Sequence, residues 1–273
     1  MPSRSSAPAK SSSAPATAFS SGPPARESYF AQSRRPLAAL AFVAPLVVLY
    51  EVGTAALHLD ESGRRETRIV AFSWIRDAFE LLGATGHLVA PLATIALLLG
   101  WHLFSRQPWR LRPTVPLAMA AESVLLAVPL MFAAAIVAAM ARQFPPLAAV
   151  DLERVGGTAI LGIGAGVYEE LVFRLVGMTL LHSALCGVLG MTQRSSLVVS
   201  LVVTSIAFAL YHHLPAGGEP LAWPPLAFRT LAGVWLGLVF VARGFGLAAG
   251  SHAAYDVLLS VLPLLTAPSA ATT

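Results

Sequence analysis

Charge and cysteine are both scarce in this chain. Charged residues make up 12% of its 273 positions and hydrophobic residues 56%, whereas soluble domains carry about 25% charged and roughly 45–50% apolar residues. So large an apolar share cannot be hidden in a soluble core of this size without leaving apolar surface in water. The one cysteine, Cys186, excludes an internal disulfide and a cysteine-rich zinc site. It is expected to act as small apolar filler. The formal charge is only +4 and comes almost wholly from arginine. In a lipid-embedded chain that charge reports orientation before any nucleic-acid partner, and no nucleic acid is expected.

What the chain has instead is long apolar stretches, recurring from Leu37 to Leu265. Several reach the ~20 residues that a helix needs to cross a bilayer. The fold class is therefore all-α, a polytopic membrane protein with seven to eight transmembrane helices. Residues 1–35, rich in Ser, Ala and Pro and carrying Arg4, Lys10, Arg26, Arg34 and Arg35, are expected to be a disordered cytoplasmic arm. Residues 36–150 hold N-terminal membrane helices. Spans are expected near Leu37–Leu57, His87–Phe104 and Leu117–Met140, with an interfacial amphipathic helix over Ile69–Leu82. Residues 151–266 hold a second membrane unit, with a Gly-rich helix from Gly157 to about Leu181 and spans near Leu197–Leu214, Leu226–Val241 and Gly246–Leu264. Residues 267–273 form a short tail. With the arm in the cytoplasm, Arg106, Arg110, Arg112, Arg194 and Arg243 also fall inside, and Arg142 and Arg154 fall outside, beside Asp151 and Glu153. The expected location is the cell (inner) membrane.

Ionisable groups inside spans cost about 2.5–3.5 kcal/mol each at a helix centre, yet three spans carry them in clusters. In Tyr168-Glu169-Glu170-Leu171-Val172-Phe173-Arg174, Glu170 and Arg174 are four apart on one helical face and can pair. Glu169 points about 100° away and is left for chemistry. Phe208-Ala209-Leu210-Tyr211-His212-His213 brings two imidazoles near the end of a span, and His252-Ala253-Ala254-Tyr255-Asp256 sets a histidine and an aspartate one turn apart. Each cluster alone reads as readily as a structural knot. Together they supply a base, a second group to share protons and donors for a developing oxyanion, which water activation requires.

These residues resemble the motifs of the CPBP family. Glu-Glu-x-x-x-Arg at Glu169, Glu170 and Arg174, Phe-x-x-x-His at Phe208 and His212, and His-x-x-x-Asp/Asn at His252 and Asp256 occur in the family's order, over about Gly157 to Leu264. The family includes the type II CAAX prenyl endopeptidases (Rce1-like) and bacterial ABI-domain proteins. The resemblance implies an eight-helix membrane fold around a polar, conical cavity and an intramembrane endopeptidase acting on a membrane-anchored or transmembrane protein substrate. It implies that Glu169 and His212 activate water and that His252 and Asp256 support the oxyanion. Glu170, Arg174 and Phe208 stand behind them, and His213 is a neighbour. Many members carry asparagine where this chain has Asp256. No cofactor is required; if a divalent metal such as zinc binds, the resemblance points to Glu169, His212 and His252.

Other intramembrane chemistries lack their signatures. There is no His-Glu-x-x-His, Asp60, Asp77 and Asp151 fall in flanks or loops and leave Asp256 without an intramembrane partner, and Gly250-Ser251 lacks the setting of a serine nucleophile. A proton-coupled carrier using Glu51 and Glu122 is one alternative. A non-catalytic ABI-type scaffold or immunity protein on the same fold is another. His212 stands near the end of its span while His252 and Asp256 lie earlier in theirs. Bringing them to one depth requires a tilted helix or a re-entrant segment around Gly217–Pro225.

Overall fold

In lipid an apolar run must satisfy its own backbone, and the α-helix does so within one segment. The computed structural model describes residues 27–57, 69–141, 152–214 and 221–266, and every regular element among them is helical. These are α1 (Tyr29–Ser33), α2 (Pro36–Leu57), α3 (Val70–Glu80), α4 (Val89–Ser105), α5 (Thr114–Met140), α6 (Leu152–Glu170), a π-helical segment (Leu171–Met178), α7 (Thr179–Gly187), α8 (Gln193–Tyr211), α9 (Trp223–Arg243) and α10 (Phe245–Thr266). Within them, α2, α5, α8, α9 and the stretch Phe245–Leu262 of α10 are long and apolar enough to cross a membrane. The chain is an integral membrane protein. Against the seven to eight membrane helices expected, these are five by length and composition; α4 is a shorter apolar helix of 17 residues. α6, the π-helical segment and α7 run on without a break. Their glycines and charges lower the apolar content of that stretch.

One expectation changes. The arm was expected to be disordered to residue 35, but Tyr29–Ser33 is helical: the Ser28 side chain caps it and Gln32 and Ser33 are buried. Tyr29 donates to Glu122 of α5, and burial, helped by that carboxylate, raises its phenol above its ordinary pKa. The re-entrant segment considered around Gly217–Pro225 falls largely on residues 215–220, which lie outside the described residues; α9 starts at Trp223 with prolines in its first turn. The arm up to residue 26, the charged stretch Asp60–Arg68, Arg142 to Asp151 and the tail 267–273 lie outside the described residues.

α6 is the axis on which the site is built, and glycine lets its neighbours come close. Gly162 and Gly166 are one turn apart on the face toward α10. A Cβ at Gly166 would lie 2.5 Å from the Ala253 nitrogen and 2.7 Å from the Ala249 oxygen, and one at Gly162 would lie 2.5 Å from Cβ of Asp256. Small residues four apart are the usual device for close helix contact in membranes. Gly164, on the opposite face, makes room for the ring of Tyr50 on α2. Gly166→Leu is therefore expected to force α6 and α10 apart and to reduce the folded monomer recovered in detergent severalfold, as read by size-exclusion chromatography. Gly156→Ala, where an added Cβ meets nothing within 4 Å, should elute unchanged.

Candidate active site

Glu169 and Glu170 close the last α-helical turn of α6, and the wider π-helical winding begins directly after them. Segments of this kind are rare and concentrate at functional sites. Glu170 pairs with Arg174 at 3.0 Å, and both are fully buried. The same guanidinium donates to the Gly233 carbonyl on α9 at 3.0 Å and lies 4.4 Å above the Phe208 ring. The other face of Glu170 receives His252, whose Nδ1 donates to the same carboxylate oxygen at 2.9 Å. A chain Arg174–Glu170–His252 thus fixes the imidazole of α10 through groups that no longer face water.

With Nδ1 committed to Glu170, Nε2 of His252 turns to Glu169 at 3.9 Å and to Asp256 at 3.5 Å. His212, just past the end of α8, is oriented in the same manner by its own chain. Its Nδ1 donates to the Phe208 carbonyl at 2.8 Å, leaving Nε2 3.6 Å from Oε2 of Glu169. That oxygen is buried and accepts no hydrogen bond from the described residues. Phe208 is the packing hub, its ring 4.9 Å from that of His212, 5.8 Å from that of His252 and 5.5 Å from that of Phe173.

Glu169, His212, His252 and Asp256 line one cleft of about 350 Å³, with Leu161, Ala165, Leu259 and Ile69 as apolar wall. Thr158, Leu161 and Ala165 lead from Glu169 back toward the start of α6, while Leu259 and Ser260 lead from Asp256 toward the end of α10. The cleft therefore runs to the end of the bundle where α6 and α9 start and α8 and α10 finish. The structure brings together all four residues expected in the chemistry, and Glu170, Arg174 and Phe208 lie behind them. His213 does not line the cleft. Glu51 accepts from Tyr168 of α6 at 3.4 Å. Glu122 is held by Arg243 at 2.6 and 2.7 Å, near the opposite end of the bundle.

The difference in depth has a simple resolution. Measured from the site, α8 extends away by about 28 Å and α10 by only about 10 Å in the same direction, at 1.5 Å per residue. The α7–α8 hairpin overshoots the tight turn at Gly244, where φ is +89°, and α7 buries none of its residues. Helices of one bundle need not begin at one level.

Sequence reasoning missed Arg229, Thr158 and Ser260, which also line the cleft. Arg229 stands in the second turn of α9, where a lone arginine reads as a side chain reaching out to the membrane surface. Glu169, His212 and His252 are the trio to which the family resemblance assigns any metal. Among the described residues no group of three or more His, Cys, Asp or Glu is disposed to hold one.

No curated protein and no solved structure matches the chain. The family model of the type II CAAX prenyl endopeptidases, Rce1-like, matches residues 152–258. That is a family of proteases, and the matched stretch contains every residue of the cleft but Ile69, Leu259 and Ser260. Over residues 152–258 this membrane protein is similar to the Rce1-like endopeptidases.

Proposed function

We propose that the protein is an intramembrane endopeptidase that hydrolyses a peptide bond of a membrane-anchored or transmembrane substrate, with water activated by Glu169 and His212. The observation that carries this reading is the Glu169 carboxylate set between the Nε2 atoms of His212 and His252 in a cleft with an apolar wall. Glu169 takes a proton from water as the water oxygen adds to the scissile carbonyl. His212, its Nδ1 occupied by Phe208, offers Nε2 as a second acceptor for that water. The oxyanion develops against Nε2–H of His252, which as the imidazolium carries its second proton on Nδ1 toward Glu170 and is oriented by Asp256. Glu169 then passes the proton to the leaving amine, and the C–N bond breaks. None of these steps draws on a metal.

The carrier alternative needed Glu51 and Glu122 as steps of an ion path. Glu122 is taken up by a bidentate arginine and Glu51 faces Tyr168, which speaks for interhelical bonding. Retention of every polar motif position speaks for a working site over a scaffold. The test compares membrane proteomes of the native host lacking the chain and complemented with it. New peptide termini within or beside membrane segments that appear only with the chain would support the reading, and identical termini in both would overturn it.

We take α4 and the continuous α6–α7 stretch to cross the membrane as well, which makes seven spans. Lys and Arg favour the cytoplasmic side. With the arm, Arg106, Arg110, Arg112, Arg194 and Arg243 inside, the cleft opens on the opposite face. In a Cys186→Ser background, Ser195→Cys should be protected from a membrane-impermeant maleimide in intact cells and Ala222→Cys should react. The reverse pattern would turn the protein over.

A further inference from the structure

We propose that Arg229 is a positioning residue of this site, whose positive charge allows Glu169 to work as a base with a second carboxylate, Asp256, beside it. The inference rests on the hydrolase reading above.

The problem it solves is one of charge. Glu170 is answered by Arg174, so that face of His252 is balanced. On the cleft face, Nε2 of His252 meets two carboxylates, Glu169 at 3.9 Å and Asp256 at 3.5 Å. Addition of water to a carbonyl would bring a further negative oxygen to the same place. Low polarity magnifies the repulsion between such charges. The His252 imidazolium offsets one of these charges, and the imidazole of His212 and the phenol of Tyr211 also face this region. The permanent cation among the cleft-lining residues is Arg229, on the α9 wall. Its guanidinium acts electrostatically on Glu169, Asp256 and Tyr211 together. Asparagine at position 256 would bring no such charge and would need no such cation.

An arginine that merely reaches for the membrane surface would be indifferent to residue 256, and this makes the proposal testable by a double-mutant cycle in the full-length chain. Arg229→Gln, Asp256→Asn and the double variant are compared with the native protein at a cleavage site established with the native chain, in membranes matched for folded protein. Arg229→Gln is expected to slow initial processing at least about tenfold, and its loss in the Asp256→Asn background should shrink to less than about threefold. Arg229→Lys should recover most of the rate. Equal losses in both backgrounds, or no loss from Arg229→Gln, would overturn the proposal.

The same four proteins, purified in detergent, give a second cycle that needs no substrate. Their thermal unfolding midpoints should be non-additive in the same sense, and additive midpoints would count against the coupling. Coupled midpoints with no processing by any variant would instead sink the hydrolase reading, and with it the part of Arg229 in catalysis.

Discussion

Glu169→Gln is expected to abolish processing while the protein accumulates to its normal level. Glutamine keeps the length and planarity of the side chain and removes the one group able to take a proton from water and return it to the leaving amine. Loss of a general base typically costs about 10²–10⁴-fold, which in a cell-based assay is complete loss. The fold has little stake in this carboxylate. Its Oε2 is buried and accepts no hydrogen bond from the described residues, and the imidazoles stand 3.6 and 3.9 Å away, too far to count as structural bonds. Removing a buried charge of this kind should leave thermal stability unchanged or raise it, as polar groups placed for function often lower stability. The measurement is the yield of processed substrate against the amount of folded protein, by immunoblot and size-exclusion. Normal processing by Glu169→Gln would reassign the base. Loss of the protein itself would show that Glu169 is structural.

The parts of this architecture that follow from solvation were legible in the sequence. Lipid permits few backbone solutions, so apolar runs located α2, α5, α8, α9 and α10 within a few residues. The cost of burying charge singled out Glu169, Glu170, Arg174, His212, His252 and Asp256. Spacing alone paired Glu170 with Arg174, because four residues make one turn of helix. What depends on packing was not legible. Nothing in Leu171–Met178 announces a π-helical winding. The partners of Gly162 and Gly166, Asp256, Ala253 and Ala249, are set by α10, far along the chain. Arg229 was passed over because charges near helix ends are common and cheap, and only the packing of α9 against α8 and α10 turns it to the cleft. The helical turn Tyr29–Ser33 was hidden by its Ser- and Pro-rich surroundings. Its anchors, Glu122 and Arg243, lie on distant spans, with Arg243 4.5 Å below the Phe30 ring.

Arg174→Gln should be the most destabilising change to a charged residue in the bundle. Taking one partner from a buried ion pair typically costs about 3–5 kcal/mol, because the other charge is left without compensation. Here it would strand Glu170, fully buried on α6, with His252 as its remaining partner among the described groups. It would also leave the Gly233 carbonyl without its donor and Phe208 without its cation. Little folded protein is expected at growth temperature. The double variant Glu170→Gln/Arg174→Met removes both charges and refills the volume, and replacing a buried pair by apolar or neutral groups is often neutral or stabilising. It should recover much of the lost stability, read as the temperature at which half of the detergent-solubilised monomer survives. It should not recover processing, because Nδ1 of His252 would no longer meet a carboxylate and Nε2 would lose its fixed aim at Glu169. A double variant as fragile as the single one would show that the stranded charge is not the cause of the loss. A double variant that processes substrate at the native rate would show that Glu170 does not aim His252, and the oxyanion support assigned to that imidazole would then have to come from another group.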